Sequence, residues 1–132
     1  MVRIRIVAVL ATCLGLSAAV GAEDVSEEQV RAHLATIAGA CPRPEAPALP
    51  DGATAEEATM ASAGRDVRAF VDAANGFLAC LQEHEDGYGD DLDAGMEAVI
   101  VALYNDTVEQ MESLADAYNE EVRSWKAARG ES

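Results

Sequence analysis

From Met60 to Leu81 the residues Met60, Gly64, Val67, Val71, Ala74, Leu78 and Leu81 recur at alternating steps of four and three. That spacing keeps one face of a helix apolar or small for about six turns, and gives a strand no consistent face. Phe70 and Phe77 widen the stripe to one side. The pattern predicts a helix over residues 54–84, opened by a capping box at Thr54-Ala55-Glu56-Glu57. Such a helix must find a second apolar face to cover its own.

The second face follows in the chain. Met96, Ile100, Leu103, Thr107, Met111, Leu114, Tyr118, Val122 and Trp125 are spaced mostly by four with interspersed threes. An eleven-residue repeat runs from Ile100 through Met111 to Val122 and suits a nearly straight helix. It is predicted over residues 90–128, with Asp90 or Asp91 as its cap and Lys126 and Arg129 near its C-terminus. Gly87-Tyr88-Gly89 is the kind of short connection that joins antiparallel helices. Runs of β-branched residues and period-two alternation are absent, so the expected fold class is all-α, a long antiparallel helical hairpin.

Ahead of the hairpin stands a shorter helix, predicted over residues 26–38. Ser26 and Gln29 form a capping box, Val25 and Val30 a hydrophobic staple, and Gly39 suits the stop. Val30, Leu34 and Ile37 give it one apolar face, which must pack because isolated helices below about 12–15 residues are marginal. Pro44, Pro47 and Pro50 then recur every three residues, the period of polyproline II, so residues 41–53 should run extended to a turn at Asp51-Gly52. A helix from Thr54 to Cys80 rises roughly 39 Å, and an extended arm from Cys41 to Ala53 reaches roughly 40 Å. The arm is thus a strap that runs back along the helix and brings Cys41 beside Cys80 for a disulfide.

Three blocks, CPRPEAPALPDGATAEEATM, VRAFVDAANGFLACL and YNDTVEQMESLADAYNEEVRSWK, resemble a group of small exported proteobacterial helical proteins of uncharacterised function. Their pattern is a CPxPxxPxLPDG strap, a second cysteine at the end of the next helix, and a C-terminal YN…M…N…VR…K helix. The resemblance covers residues 41–126 and implies no activity, cofactor or catalytic residue.

Residues 1–22, MVRIRIVAVLATCLGLSAAVGA, have the parts of a cleavable signal peptide: Arg3 and Arg5, an apolar stretch from Ile4 to Leu16, then small residues up to Ala22. The apolar stretch is short for a spanning helix, and Cys13 is poorly placed for lipidation, so no membrane anchor is expected after cleavage. The expected product is a periplasmic single helical domain, residues 23–132. An exported chain left with two cysteines favours their pairing.

Loss of Arg3 and Arg5 leaves seven basic against 24 acidic residues, a formal charge of −17. Phosphate backbones and anionic lipid would repel such a chain, which argues against nucleic acid and membrane surfaces as partners. Basic proteins and divalent cations would be attracted; plain solubility also suffices to explain the charge. The segment EHEDGYGDDLDAGME is the one cluster that suggests ligand chemistry, through Glu83, Glu85, Asp86, Asp90, Asp91 and Asp93. A calcium-loop register starting at Asp86 fails, with Tyr88 at position three and Asp91 where the sharp turn needs glycine. His33 and His84 are isolated and read as surface residues, so no metal site or cofactor is expected. Asn105 and Asn119 read as donors to the carbonyls of the strap, and Asn105-Asp106-Thr107 as a chance sequon inside a helix. No nucleophile stands beside a base in the pattern, so an enzyme is not expected. Three roles fit: an interaction module presenting an acidic helical surface to an envelope protein, an acidic inhibitor of a basic envelope enzyme or peptide, and a weak divalent-cation binder at the acidic turn. Phe70, Phe77, Tyr118 and Trp125 all belong to stripes that the hairpin and strap should cover, which leaves a polar outer surface.

Overall fold

The computed structural model describes residues 25–131, so the leader expected at 1–22 lies outside the described residues. Three α-helices follow one another: α1 (Glu27–Ala40), α2 (Glu57–Tyr88) and α3 (Ala94–Ala128), with a single 3-10 turn at Gly89–Asp91 between the last two. Helices α2 and α3 pack as an antiparallel hairpin, and α1 and the strap lie along it. Among the described residues no helix is long and apolar enough to cross a membrane.

Helix α1 begins as its sequence demands. Ser26 Oγ accepts from the Gln29 amide at 3.2 Å, and Gln29 Oε1 accepts from the Ser26 amide at 2.9 Å. Its end lies beyond Gly39, which stays helical. The helix stops instead at Cys41, whose extended backbone (φ −124°, ψ 101°) is what the following Pro42 favours.

Helix α2 departs from expectation at both ends. The Thr54 capping box does not form: Thr54 Oγ1 bonds to the Asp51 carbonyl, and the amides of Thr54 and Ala55 bond there as well. The turn centred on Asp51 claims Thr54, and Glu56 becomes an N-cap with no side-chain bond. At the other end the helix continues past Glu83 and Gly87 to Tyr88, because Tyr88 packs on the core near the turn. Gly89 (φ 52°) then reverses the chain in the left-handed region that glycine accepts. Asp90 and Asp91 fall in the 3-10 turn rather than capping α3; Leu92 packs against the core, and Asp93 is the N-cap, its Oδ1 accepting from the Met96 amide at 2.9 Å.

Two buried clusters hold the hairpin. Near the turn, Ile37 and Cys41 from the α1 side meet Phe77, Leu81, Met96, Val99 and Ile100. Farther along, Val67, Phe70, Ala74 and Leu114 pack with Leu49 of the strap and the half-buried Val71, Met111 and Tyr118. Burying a side chain the size of phenylalanine contributes about 1.5–3 kcal/mol, so Phe70 and Phe77 anchor one cluster each. Thr107 is buried in the α3 stripe and satisfies its hydroxyl on the Leu103 carbonyl at 2.7 Å.

The strap is fastened at three places. Cys41 is bonded to Cys80, with Cα atoms 5.7 Å apart, as the matched lengths of arm and helix predict. Arg43 pairs with Asp106 of α3. The Gly52 amide donates to Glu121 Oε2 at 2.6 Å, and Gly52 lies so close to α3 that an added Cβ would sit 1.9 Å from the Glu121 carbonyl oxygen. Asn105 and Asn119, expected to hold the strap, are exposed and make no bond to it; Asp106, one residue on, and Glu121, two residues on, face the strap instead.

Candidate functional site

The hairpin turn gathers the six acidic residues singled out in the sequence. Glu83, Glu85 and Asp86 occupy the last turns of α2, Asp90 and Asp91 the 3-10 turn, and Asp93 the cap of α3. Glu85 is half-buried and the other five are exposed. They share an end of the molecule without converging on a point. On α2, Glu83, Glu85 and Asp86 point to different azimuths at about 100° per residue. Among the described residues no three carboxylate, histidine or thiol groups lie close enough together to hold a metal ion.

Tertiary structure adds charge to this end that the local pattern of residues 83–97 does not contain. The start of α1 lies against the start of α3, where Val25, Gln29, Ala32 and His33 face Asp93, Ala94 and Gly95 across a groove. Glu27 and Glu28, in the first turn of α1, therefore stand at the acidic end too. His33 fixes the docking: its Nε2 lies 3.4 Å from Asp93 Oδ1 and close over Gly95, where a Cβ would come within 3.2 Å. It is a half-buried contact between helices rather than a free surface residue. His84 is half-buried as well, set edge-on to Tyr88 with ring centroids 5.2 Å apart and its Nε2 shielded from solvent. The two histidines line different grooves and do not form a pair.

The opposite end is built differently. Five of the seven basic residues in the described chain, Arg65, Arg68, Arg123, Lys126 and Arg129, lie on the halves of α2 and α3 away from the turn. Arg129 donates to the Ala55 carbonyl at 2.8 Å and stacks over Trp125, 4.2 Å from the ring centroid. Tyr118 reaches across to donate to the Met60 carbonyl at 3.4 Å, over Gly64, where a Cβ would come within 2.6 Å of the phenol oxygen.

The aromatic residues divide unevenly. Phe70 and Phe77 are buried, and Tyr118 and Trp125 half-buried, as their stripes require. Tyr104 and Val101 on α3 are exposed, at 45% and 49%, so the outer surface is less uniformly polar than the stripes imply. Chemically, the acidic end offers a dense negative field from carboxylates held at fixed helix positions, suited to steering a cationic partner. No family model, curated protein or solved structure matches the chain.

Proposed function

We propose that this chain is a non-enzymatic interaction module of the bacterial periplasm, exported by residues 1–22 and kin to the small proteobacterial helical proteins that its three blocks resemble. Its acidic hairpin end contacts a basic partner, an envelope protein, enzyme or peptide, through charge rather than through a dry apolar pocket. One observation carries this: Glu83, Asp86, Asp90, Asp91 and Asp93 are exposed together at one end, joined there by Glu27 and Glu28, while most basic residues lie at the other. The far end also carries carboxylates, among them Asp66, Asp116, Glu120 and Glu121, so the field is negative throughout and least relieved by basic residues at the turn. Such a field steers association more than it adds raw affinity.

The test is to change Glu83, Glu85, Asp86, Asp90, Asp91 and Asp93 to their amides and capture partners from an envelope extract at low and high salt. Asn at position 93 keeps the cap, so α3 should be undisturbed. Capture by the unaltered chain should fall as salt rises, and capture by the sixfold variant should be weak at both salts. Equal, salt-insensitive capture by both chains contradicts the proposal. Binding of calcium alone, lost in the variant, would favour the cation-binding role instead.

A further inference from the structure

Helix α3 carries a second apolar line that the described chain covers only in part. Val101, Tyr104, Val108, Met111 and Ala115 step by three, four, three and four, the spacing of a coiled-coil seam. Val101 and Tyr104 are exposed, and Val108, Met111 and Ala115 half-buried. The line borders the core stripe, with which it shares Met111, and lies away from the strap. The strap lies on the flank of Asp106, Gln110 and Ser113. Val99, which packs with Ile37 of α1, lies on that same flank. At about 100° per residue, Val101 and Val108 sit roughly 140–180° around the helix from Gln110, Asp106 and Val99, on the side away from the strap.

We propose that this seam is the self-association face of the protein, and that it is covered by α3 of a second copy in antiparallel, two-fold orientation. The occupant follows from charge. Lys126 lies 18 residues, five helical turns, beyond Val108 and therefore on the same line, with Arg123, which also pairs with Glu120 of its own helix, beside it. Asp90 and Asp91 lie at the other end of α3, in the turn just before its cap at Asp93. A two-fold axis crossing the seam near Val108 sets the acidic turn of each copy opposite Arg123 and Lys126 of the other. The interface is isologous, so both charge contacts form twice. Parallel pairing would lay the acidic turn against itself, which like-charge repulsion opposes. The formal charge of −17 expected after loss of residues 1–22 keeps association weak, so it is a property of concentrated protein.

Sedimentation velocity of the purified chain, from about 10 μM to 1 mM in buffer of about 0.15 M ionic strength, tests this directly. Three variants accompany it: Val101→Glu with Tyr104→Glu, Asp90→Lys with Asp91→Lys, and Arg123→Glu with Lys126→Glu. The unaltered chain should dimerise reversibly, and each variant alone should weaken its own dimerisation at least tenfold while circular dichroism stays unchanged. Mixing the two charge-reversed variants should restore dimerisation between unlike chains, because each heterodimer regains complementary ends. A chain that stays monomeric to 1 mM overturns the proposal. So does a mixture no more associated than its components, or a seam variant that dimerises as well as the unaltered chain.

Discussion

The two ends of the hairpin are held by different means. At the turn, three helices converge on Ile37, Phe77, Leu81 and Ile100, and a covalent bond ties the end of α1 to α2. At the far end only α2, α3 and the strap meet, and the fastenings are polar: Gly52 on Glu121, Arg129 on Ala55, Tyr118 on Met60. The braced end is the one that carries the concentrated like charge. Exposed carboxylates at close quarters repel one another, and a disulfide resists the separation of α1 from α2 that would relieve them. Covalent bracing and charge density go together here.

The largest single loss of stability on that contrast comes from the turn end. Replacing Cys41 and Cys80 by alanine should cost about 4 kcal/mol in the chain-entropy model, for a loop closed across 39 positions. A lower denaturant midpoint with near-native helix content in the absence of denaturant would bear this out. At the far end, Gly52→Ala should come next, at about 2 kcal/mol, because the new Cβ meets helix backbone that cannot move aside. Thermal melting should register a drop on the order of 10 °C. Arg43→Ala removes only a solvent-exposed ion pair with Asp106 and should cost under about 1 kcal/mol, less still at high salt. Gly64→Ala should change stability least. The clash there is with the tip of Tyr118; displacing it gives up the bond to the Met60 carbonyl, which offsets the helix propensity of about 1 kcal/mol that alanine returns.

These positions also mark where local sequence suffices to read the molecule and where it does not. Ser26 with Gln29, the four-three stripe of α2 and the pairing of Cys41 with Cys80 follow from spacing, chain length and reach, all visible along the chain. The end of α2 does not, since Gly87 looks like a stop, and only the packing of Tyr88 on the core carries the helix past it. Thr54 is lost as a cap because Asp51 competes for it within the same few residues. The partners of the strap were out of reach for another reason. Choosing Asp106 and Glu121 over Asn105 and Asn119 requires the azimuth at which the strap meets α3, and each residue of error turns the helix by about 100°. At the acidic end, residues 83–93 are legible as a run, whereas Glu27 and Glu28 join them only through the docking of α1. The line from Val101 to Ala115 is written in plain heptad spacing, but it shares Met111 with the core stripe and is masked by it.

Amide hydrogen exchange, followed segment by segment in the oxidised and the reduced protein, compares the two ends within one molecule. With the Cys41–Cys80 bond closed, α1 and the turn-proximal halves of α2 and α3 should be protected to a similar degree. On reduction, protection should fall sharply in α1 and in the strap near Cys41, while Val67, Phe70 and Leu114 at the centre of the far cluster keep theirs. Loss of protection spread evenly over both ends, or none in α1, would contradict the account.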